Sequence, residues 1–538
     1  MAGVLDKERT IAGERFNRWL VPPAALAIHL CIGMAYGFSV FWLPMTKLVA
    51  NAPAECTQQS LMSELFTHQC NWTVPAVSVT FTLFIFMLGV AAAFWGGWLE
   101  HAGPRKSGFI AATCWGGGMI LGGIGVSMHQ LWLVWLGCGI LGGVGQGLGY
   151  ITPVSSLIKW FPDRRGMATG FAIMGYGGGA MIGAPIAVAL MKHFGGGDAS
   201  AGVASTLIAM GVFYFVAMSA GAFGFRTPPA GWLPLGWSPD EGQVKAMITD
   251  RHVHLAKAWK TPQFWLIWGV LCLNVSAGIG VIGMASPMLQ DIFGPLLVGA
   301  SSHETATAAQ KAAIVAAAGG LVGLISLFNS LGRLFWASVS DWIGRKTTYY
   351  TFFVLGIVLY CLMPTLGHMG AAGLFVLVVC IILTMYGGGF STVPAYLADI
   401  FGTQMVGAIH GRLLTAWSAA GIIGPVLIAN LREAQLHAGV PKNLVYDHTL
   451  YILAGLLAAG FICNWMIKPV DAKHFMTPDE LAEEQALTQK ASHKAATAQT
   501  AARGSFGMGG ALAWLAVGVP FLIGVWFALG KAAVLFFH

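Results

Sequence analysis

Arg333 is the residue of this 538-residue chain whose type and place promise chemistry. It lies in a long apolar run, eight residues before Asp341. At 1.5 Å per helical residue, that sets it about 12 Å in from the end of a helix. An arginine at that depth in hydrocarbon costs about 2.5–3.5 kcal/mol on insertion scales, so it must face a cavity or a partner. No Asp or Glu occupies the middle of any apolar run, so the sequence offers it no protein counter-ion. A guanidinium without a counter-ion presents a planar fork of N–H donors, which suits a carboxylate arriving from outside the chain. The competing account is an arginine satisfied by backbone carbonyls and water, or one that reaches for the surface. The anion account is the stronger of the two.

Aromatic residues recur at a fixed offset. Tyr150 maps onto Phe390, 240 residues on, and Tyr176 onto Trp417, 241 residues on. Tyr36 and Tyr386 have no aromatic mates. Ring edges carry partial positive charge and can surround a carboxylate without gripping it too tightly. One such ring is more often packing than ligand, but the set at matching offsets favours a cavity lining. His29 lies seven residues before Tyr36, on the same helix face. Imidazoles titrate near neutral pH and can carry protons, although a lone buried His is more often merely hydrogen-bonded. Asn329, one turn before Arg333, cannot titrate.

Membrane helices must position these residues. The chain has 29 Lys and Arg and 22 Asp and Glu, 9% charged, against 56% hydrophobic. Soluble domains carry about 25% charge and need it to cover their surfaces. Soluble domains, disorder, a coiled coil and nucleic-acid binding are therefore excluded. Runs of about 20 apolar residues mark spanning helices. They fall at 19–44, 75–98, 107–127, 131–158, 167–191, 202–224, 263–289, 312–339, 348–366, 373–398, 412–430 and 447–467, with a thirteenth at 512–534. The first run is too long for a signal peptide and lacks a cleavage site. Alternating the loops puts 22 of the 29 Lys and Arg on the side of the N-terminus, which predicts a cytosolic N-terminus and an outside C-terminus. Seven of nine cysteines lie in apolar runs and read as small hydrophobes. Cys56 and Cys70 share the first outside loop, residues 45–74, where a disulfide and two free thiols are equally permitted. No metal-ligand cluster, Ser/His/Asp set or paired carboxylate lies at membrane depth, so no enzyme, metal or cofactor is expected.

The chain also repeats itself. WLEHAGPRK, from Trp98 to Lys106, matches SDWIGRK, from Ser340 to Lys346, with Glu100 and Asp341 241 residues apart. Pro185 and Pro425 are 240 apart, and Pro44 and Pro287 are 243 apart. The predicted organisation is a tail (1–18), a six-helix half (19–224), a basic loop (225–262), a second half (263–470), a linker (471–511) and an extra helix (512–538). Two such halves related by an axis along the membrane normal form a known transporter plan, with the site between them near the midplane. Glu100, Arg105, Asp341 and Arg345 stand at helix ends, where charge pairs and helix dipoles can latch one conformation or simply set topology.

The two acidic-x-x-Gly-(Pro)-Arg-Lys loops resemble the signature loops of the major facilitator superfamily. KWFPDRRGMATG at Lys159–Gly170, FRTPPAGW at Phe225–Trp232, FWLIWGVLCLNVSAGIG at Phe264–Gly280 and TAWSAAGIIGP at Thr415–Pro425 together resemble the oxalate/formate antiporter family, over roughly residues 15–470. The resemblance implies an all-α integral membrane fold: a major-facilitator-type 6+6 bundle of two pseudo-symmetric halves plus a thirteenth C-terminal transmembrane helix. That last helix resembles a small single-helix protein that accompanies such transporters. The resemblance also implies that Arg333 binds the substrate carboxylate, with Tyr36, Tyr150, Tyr176, Tyr386, Phe390 and Trp417 lining the central cavity.

Two departures matter. The oxalate-transporting pattern has a Lys where this chain has Trp417 and a Gln where it has Ala35. With one cation, a dianion brings an uncompensated charge into a low-dielectric cavity. The expected substrate is therefore a small monocarboxylate such as formate, lactate or pyruvate, ahead of oxalate. Proton-coupled carriers of similar fold often place an Asp where Asn329 stands. The expected function is alternating-access transport of a small carboxylate by anion exchange, as a monomer in the plasma membrane of a bacterium. The alternatives are proton-coupled symport, with His29 as the carrier, and a nutrient receptor on a transporter scaffold.

Overall fold

The structure is a computed structural model that describes residues 3–13, 16–49, 61–66, 69–229, 232–235, 247–302, 305–489 and 507–532. Thirteen helices among them are long and apolar enough to cross a membrane. They are α1 (Arg18–Met45), α2 (Val74–Ala102), α3 (Pro104–Ser127), α4 (Leu131–Trp160), α5 (Arg165–Phe194), α6 (Val203–Gly224) and α7 (Pro262–Leu297). Then follow α8 (Ala308–Ile343), α9 (Arg345–His368), α10 (Ala372–Phe401), α11 (Val406–His437), α12 (Asp447–Met466) and α13 (Gly507–Ala532).

Every expected span is a helix, and several run past their apolar limits. Both α7 and α8 have 36 residues. An apolar run measures only the part inside hydrocarbon, while the backbone hydrogen-bond ladder continues wherever nothing stops it. Side-chain caps start several helices: Thr73 accepts from the Ala76 amide, Thr261 from Phe264, and Thr307 forms a capping box with Gln310. The α2–α3 and α8–α9 turns end on Gly103 and Gly344, with φ of 85° and 86°. Only glycine takes that conformation without strain. These two glycines share the offset of Glu100 and Asp341, so the repeat extends to backbone geometry.

The halves meet along two related seams, α5 against α8 and α2 against α11. Small residues let the backbones approach. A Cβ added at Gly170 of α5 would stand 2.9 Å from the Arg333 carbonyl of α8, and one added at Gly411 of α11 would collide with the Ala92 carbonyl of α2. Gly170 and Gly411 are related by the repeat offset, as are Ala92 and Arg333. The seams are thus copies, and the buried cation is present in only one of them. Gly411→Val should prevent the α2–α11 seam from closing. We expect the seam to stay parted with the protein still folded in detergent, checked by gel filtration beside cysteine cross-linking between α2 and α11.

α13 crosses the outside of the α5–α8 seam. Trp514 Nε1 donates to the Trp19 carbonyl at 3.1 Å, Phe521 lies over Gly178, and Ala528 packs with Met181 and Leu327. Between α13 and the α1, α5 and α6 surface lies an apolar cavity of about 700 Å³. Cys70 is disulfide-bonded. Cys56 lies outside the described residues, and the seven cysteines of the apolar runs are free thiols. Residues 236–246 of the central loop and 490–506 of the linker also lie outside the described residues.

Candidate functional site

Arg333 sits on α8 at 0% exposure, between the two halves. Its Nε donates to Asn329 Oδ1 at 3.2 Å, so the asparagine expected one turn away supports the guanidinium directly. Its Nη1 donates to the Ile173 carbonyl of α5 at 3.3 Å. Its Nη2 has no partner, and no carboxylate pairs with it, among the described residues. The guanidinium faces the rings of Tyr176 at 5.6 Å and Phe390 at 5.3 Å, a cation–π arrangement that partly offsets its desolvation. Gly177 and Gly387 leave the room for its stem: a Cβ at Gly177 would stand 3.1 Å from Nε and one at Gly387 3.0 Å from Cγ.

The six aromatic residues singled out in the sequence form one closed circuit. Tyr36 meets Tyr176 at 5.2 Å between centroids, Tyr176 meets Tyr150 at 5.5 Å, and Tyr150 meets Trp417 at 5.3 Å. Trp417 meets Phe390 at 4.7 Å and Phe390 meets Tyr386 at 5.3 Å. The Tyr386 and Tyr36 hydroxyls, 3.0 Å apart, complete the loop. Helices α1, α4, α5, α10 and α11 contribute, so both halves build the cage. Tyr36, Tyr150, Tyr176 and Tyr386 all lie within electrostatic reach of Arg333.

The polar atoms of this cage are unevenly served. The Tyr176 hydroxyl and Trp417 Nε1 are buried without a hydrogen-bond partner among the described residues, and the Tyr150 hydroxyl and Arg333 Nη2, though close to one another, have none of regular geometry. A buried donor left unmade costs about 1–3 kcal/mol, more when charged. The free Nη2 of the guanidinium and the unpartnered donors of the same cage suit an acceptor that carries negative charge.

His29 is placed differently from the cage donors. Both its ring nitrogens face backbone carbonyls, Nδ1 that of Ala172 and Nε2 that of Tyr150 at 3.2 Å, and the ring stacks on Tyr150. His410 escaped the sequence reading because α11 starts at Val406, ahead of the apolar run expected from 412. It is buried against Tyr150 with neither nitrogen bonded among the described residues. Its spacing, seven residues before Trp417, repeats the His29–Tyr36 spacing and was the available signal.

One end of the bundle, the basic face, holds the charged loops. Asp341 accepts from the Gly166 and Met167 amides of α5 at 2.9 and 3.0 Å and from Arg345 Nη2 at 2.6 Å. Arg345 Nε also reaches Asp399 at 3.2 Å, and Arg165 of the other half reaches the same carboxylate at 3.1 Å. A carboxylate of one half thus caps a helix start of the other, where the helix dipole favours it. The N-terminal half keeps the plan with changed partners. Glu100 pairs with Lys159, accepts from Ser155 Oγ at 3.1 Å and abuts Gly407 at the start of α11.

Arg105 corrects the expected symmetry: it does not pair with Glu100 as Arg345 pairs with Asp341. Its Nη1 donates to the Val4 carbonyl of the N-terminal tail at 3.0 Å. The cause is a charge reversal within the repeat. Lys159 is the repeat mate of Asp399, so the position that draws Arg345 inward on one half is cationic on the other. Asp341→Asn should open the basic face. Losing the charge from these bonds shifts the equilibrium by about 1–2 kcal/mol, roughly tenfold. Spin labels on the α4–α5 and α10–α11 loops should then report a new, longer distance, and an unchanged distribution would count against the latch.

Residues 25–425 match the Major Facilitator Superfamily. The oxalate:formate antiporter of Oxalobacter formigenes is 28% identical over 341 residues, covering 62% of this chain and 71% of that protein. Apicoplast pyruvate carrier 1 of Toxoplasma gondii is 24% identical over 354 residues, 58% of this chain and 60% of the carrier. Among solved structures, an outward-facing bacterial homologue of the iron transporter ferroportin superposes with a TM-score of 0.54 at 13% identity, over 83% of this chain and 98% of that one. The E. coli fucose:proton symporter FucP superposes with a TM-score of 0.53 at 11% identity, over 84% and 99%. These two share the fold. Two repeated six-helix halves, a site enclosed between them and a family match over most of the chain together identify this multi-pass membrane protein as a member of the Major Facilitator Superfamily of transporters.

Proposed function

We propose that the protein carries small monocarboxylates across the membrane and exchanges one anion for another. Arg333 Nη2 and the unpartnered donors of its cage carry this reading. A carboxylate supplies two oxygens and one negative charge, which meets the guanidinium fork and relieves the neighbouring hydroxyls and indole. The names of the two relatives, an oxalate:formate antiporter and a pyruvate carrier, support carboxylates as a class. Trp417 and Ala35 leave a single cation in the cage, which favours a monoanion over a dianion. We place the basic face in the cytosol, because Lys and Arg concentrate there. α13 then carries the C-terminus outward.

Exchange follows from the energetics of closure. An empty occluded cage buries an unpaired cation, whereas a loaded one buries a neutral pair. Loaded carriers therefore change face faster than empty ones. Asn329, one turn from Arg333 and bonded to it, cannot titrate, which supports exchange over proton symport. The test is counterflow. Proteoliposomes preloaded with unlabelled formate, lactate or pyruvate should take up the labelled anion at least fivefold faster than empty ones. Equal uptake with and without internal anion would sink exchange, and no uptake of any carboxylate would sink the substrate class.

A further inference from the structure

We propose that His410 is a second binding residue for the transported anion, the one it meets next between the cage and the basic face. The proposal rests on the carboxylate function above. His410 stands one turn into α11, 1% exposed, with its ring 5.9 Å from that of Tyr150 and tilted by 49°. It precedes Trp417 by seven residues, across a break in the helix at Leu414, and so lies nearer the basic end, with both rings against Tyr150. Three residues earlier on the same helix, Gly407 touches Glu100 and Ser155 of the closed latch. His410 therefore lies between the cage and the closed latch.

Packing does not account for an imidazole there. Neither Nδ1 nor Nε2 has a hydrogen-bond partner among the described residues. A Phe or Leu would fill similar space without the cost of burying two unserved polar atoms. The residue at the equivalent place in the first half, Thr169, behaves differently. Its hydroxyl has the Gly166 carbonyl of α5 at 2.9 Å and the Ser391 carbonyl at 2.7 Å within reach and donates to one of them. His29, stacked on Tyr150, has two carbonyls within hydrogen-bond distance and a neutral ring donates to one of them. Of these three buried polar side chains, His410 alone has its hydrogen-bonding capacity free.

Opening of the basic face must part Gly407 from Glu100. His410 is then the first polar side chain on α11 between water and the cage, and its N–H can take a carboxylate oxygen as the anion leaves Arg333. A residue that receives the anion during passage lowers the barrier to movement while leaving resting affinity to Arg333. Its loss should slow turnover with little effect on half-saturation.

Labelled-formate counterflow on wild type, His410→Phe and His410→Gln tests this. Phe keeps a ring beside Tyr150 and removes both nitrogens, whereas Gln keeps an N–H donor in a different shape. The expected maximal rate falls about tenfold in the Phe variant and stays within threefold of wild type in the Gln variant. Half-saturation should stay within twofold in both. A purely structural role predicts the reverse order, with Gln the more damaged. The proposal is overturned if the Phe variant exchanges at the wild-type rate, or if Gln is as slow as Phe. Wild-type protein that shows no counterflow overturns the exchange reading on which the proposal rests, and the proposal with it, so the two failures are told apart by which protein fails.

Discussion

Arg333→Ala is expected to abolish carboxylate counterflow, with a fall of more than a thousandfold against wild type. The variant removes the one positive charge of the cage and leaves a carboxylate to be buried uncompensated. Isolated buried ions cost several kcal/mol even after the surroundings relax, and a factor of ten corresponds to about 1.4 kcal/mol. Arg333→Lys separates charge from geometry. An ammonium restores the charge but cannot donate two parallel bonds, nor keep the Asn329 and Ile173 contacts that aim the fork. One lost charge-assisted bond is worth about 1.5–3 kcal/mol, so Lys should retain between a tenth and a hundredth of the rate. Both variants should fold, since the wild-type guanidinium already lacks a carboxylate partner among the described residues and its removal strands no buried acid. Lysine exchanging as well as arginine would show that charge alone suffices and that the fork does not matter.

Trp417→Lys carries the second large effect, a change of substrate. Trp417 lies at the centre of the cage, against Tyr150, Tyr176 and Phe390 at 5.3, 5.3 and 4.7 Å. A lysine there places a second cation among aromatic faces that tolerate it. The cage then holds two positive charges, so a dianion makes it neutral and a monoanion leaves it charged. Exchange of oxalate should rise relative to formate by at least tenfold in Trp417→Lys, measured as the ratio of counterflow rates in one preparation. Formate exchange should fall in absolute terms for the same reason. A ratio that stays at the wild-type value would mean that cage charge does not select the substrate.

The depth of Arg333 and its lack of a carboxylate partner could be read directly, because both depend on counting along one chain. The same holds for the thirteen spans and for the four aromatic positions that the internal repeat pairs off, whereas Tyr36 and Tyr386 came from the family resemblance. Helix lengths were less legible. Apolar runs end at the first polar residues, while α7, α8 and α11 continue beyond them, and the early start of α11 hid His410. The latch was half legible. Glu100 and Asp341 stood out by spacing, yet the partner of Arg105 depends on a third position in the repeat, Lys159 against Asp399, whose charge changes sign.

By itself, the sequence determined the membrane architecture, the duplication and the one cation deep within an apolar run. Each is a property of composition or period, and composition and period survive without knowledge of contacts. Only the tertiary structure decided which polar atoms have partners. Tyr150, Tyr176, Trp417 and Arg333 come from four different helices, and whether their donors find acceptors depends on what those helices bring within hydrogen-bond distance of one another. His29 and His410 are alike in type and in spacing to an aromatic. One meets two carbonyls and the other meets none, because α1 lies against the backbones of α4 and α5 while α11 presents its imidazole to the ring of Tyr150.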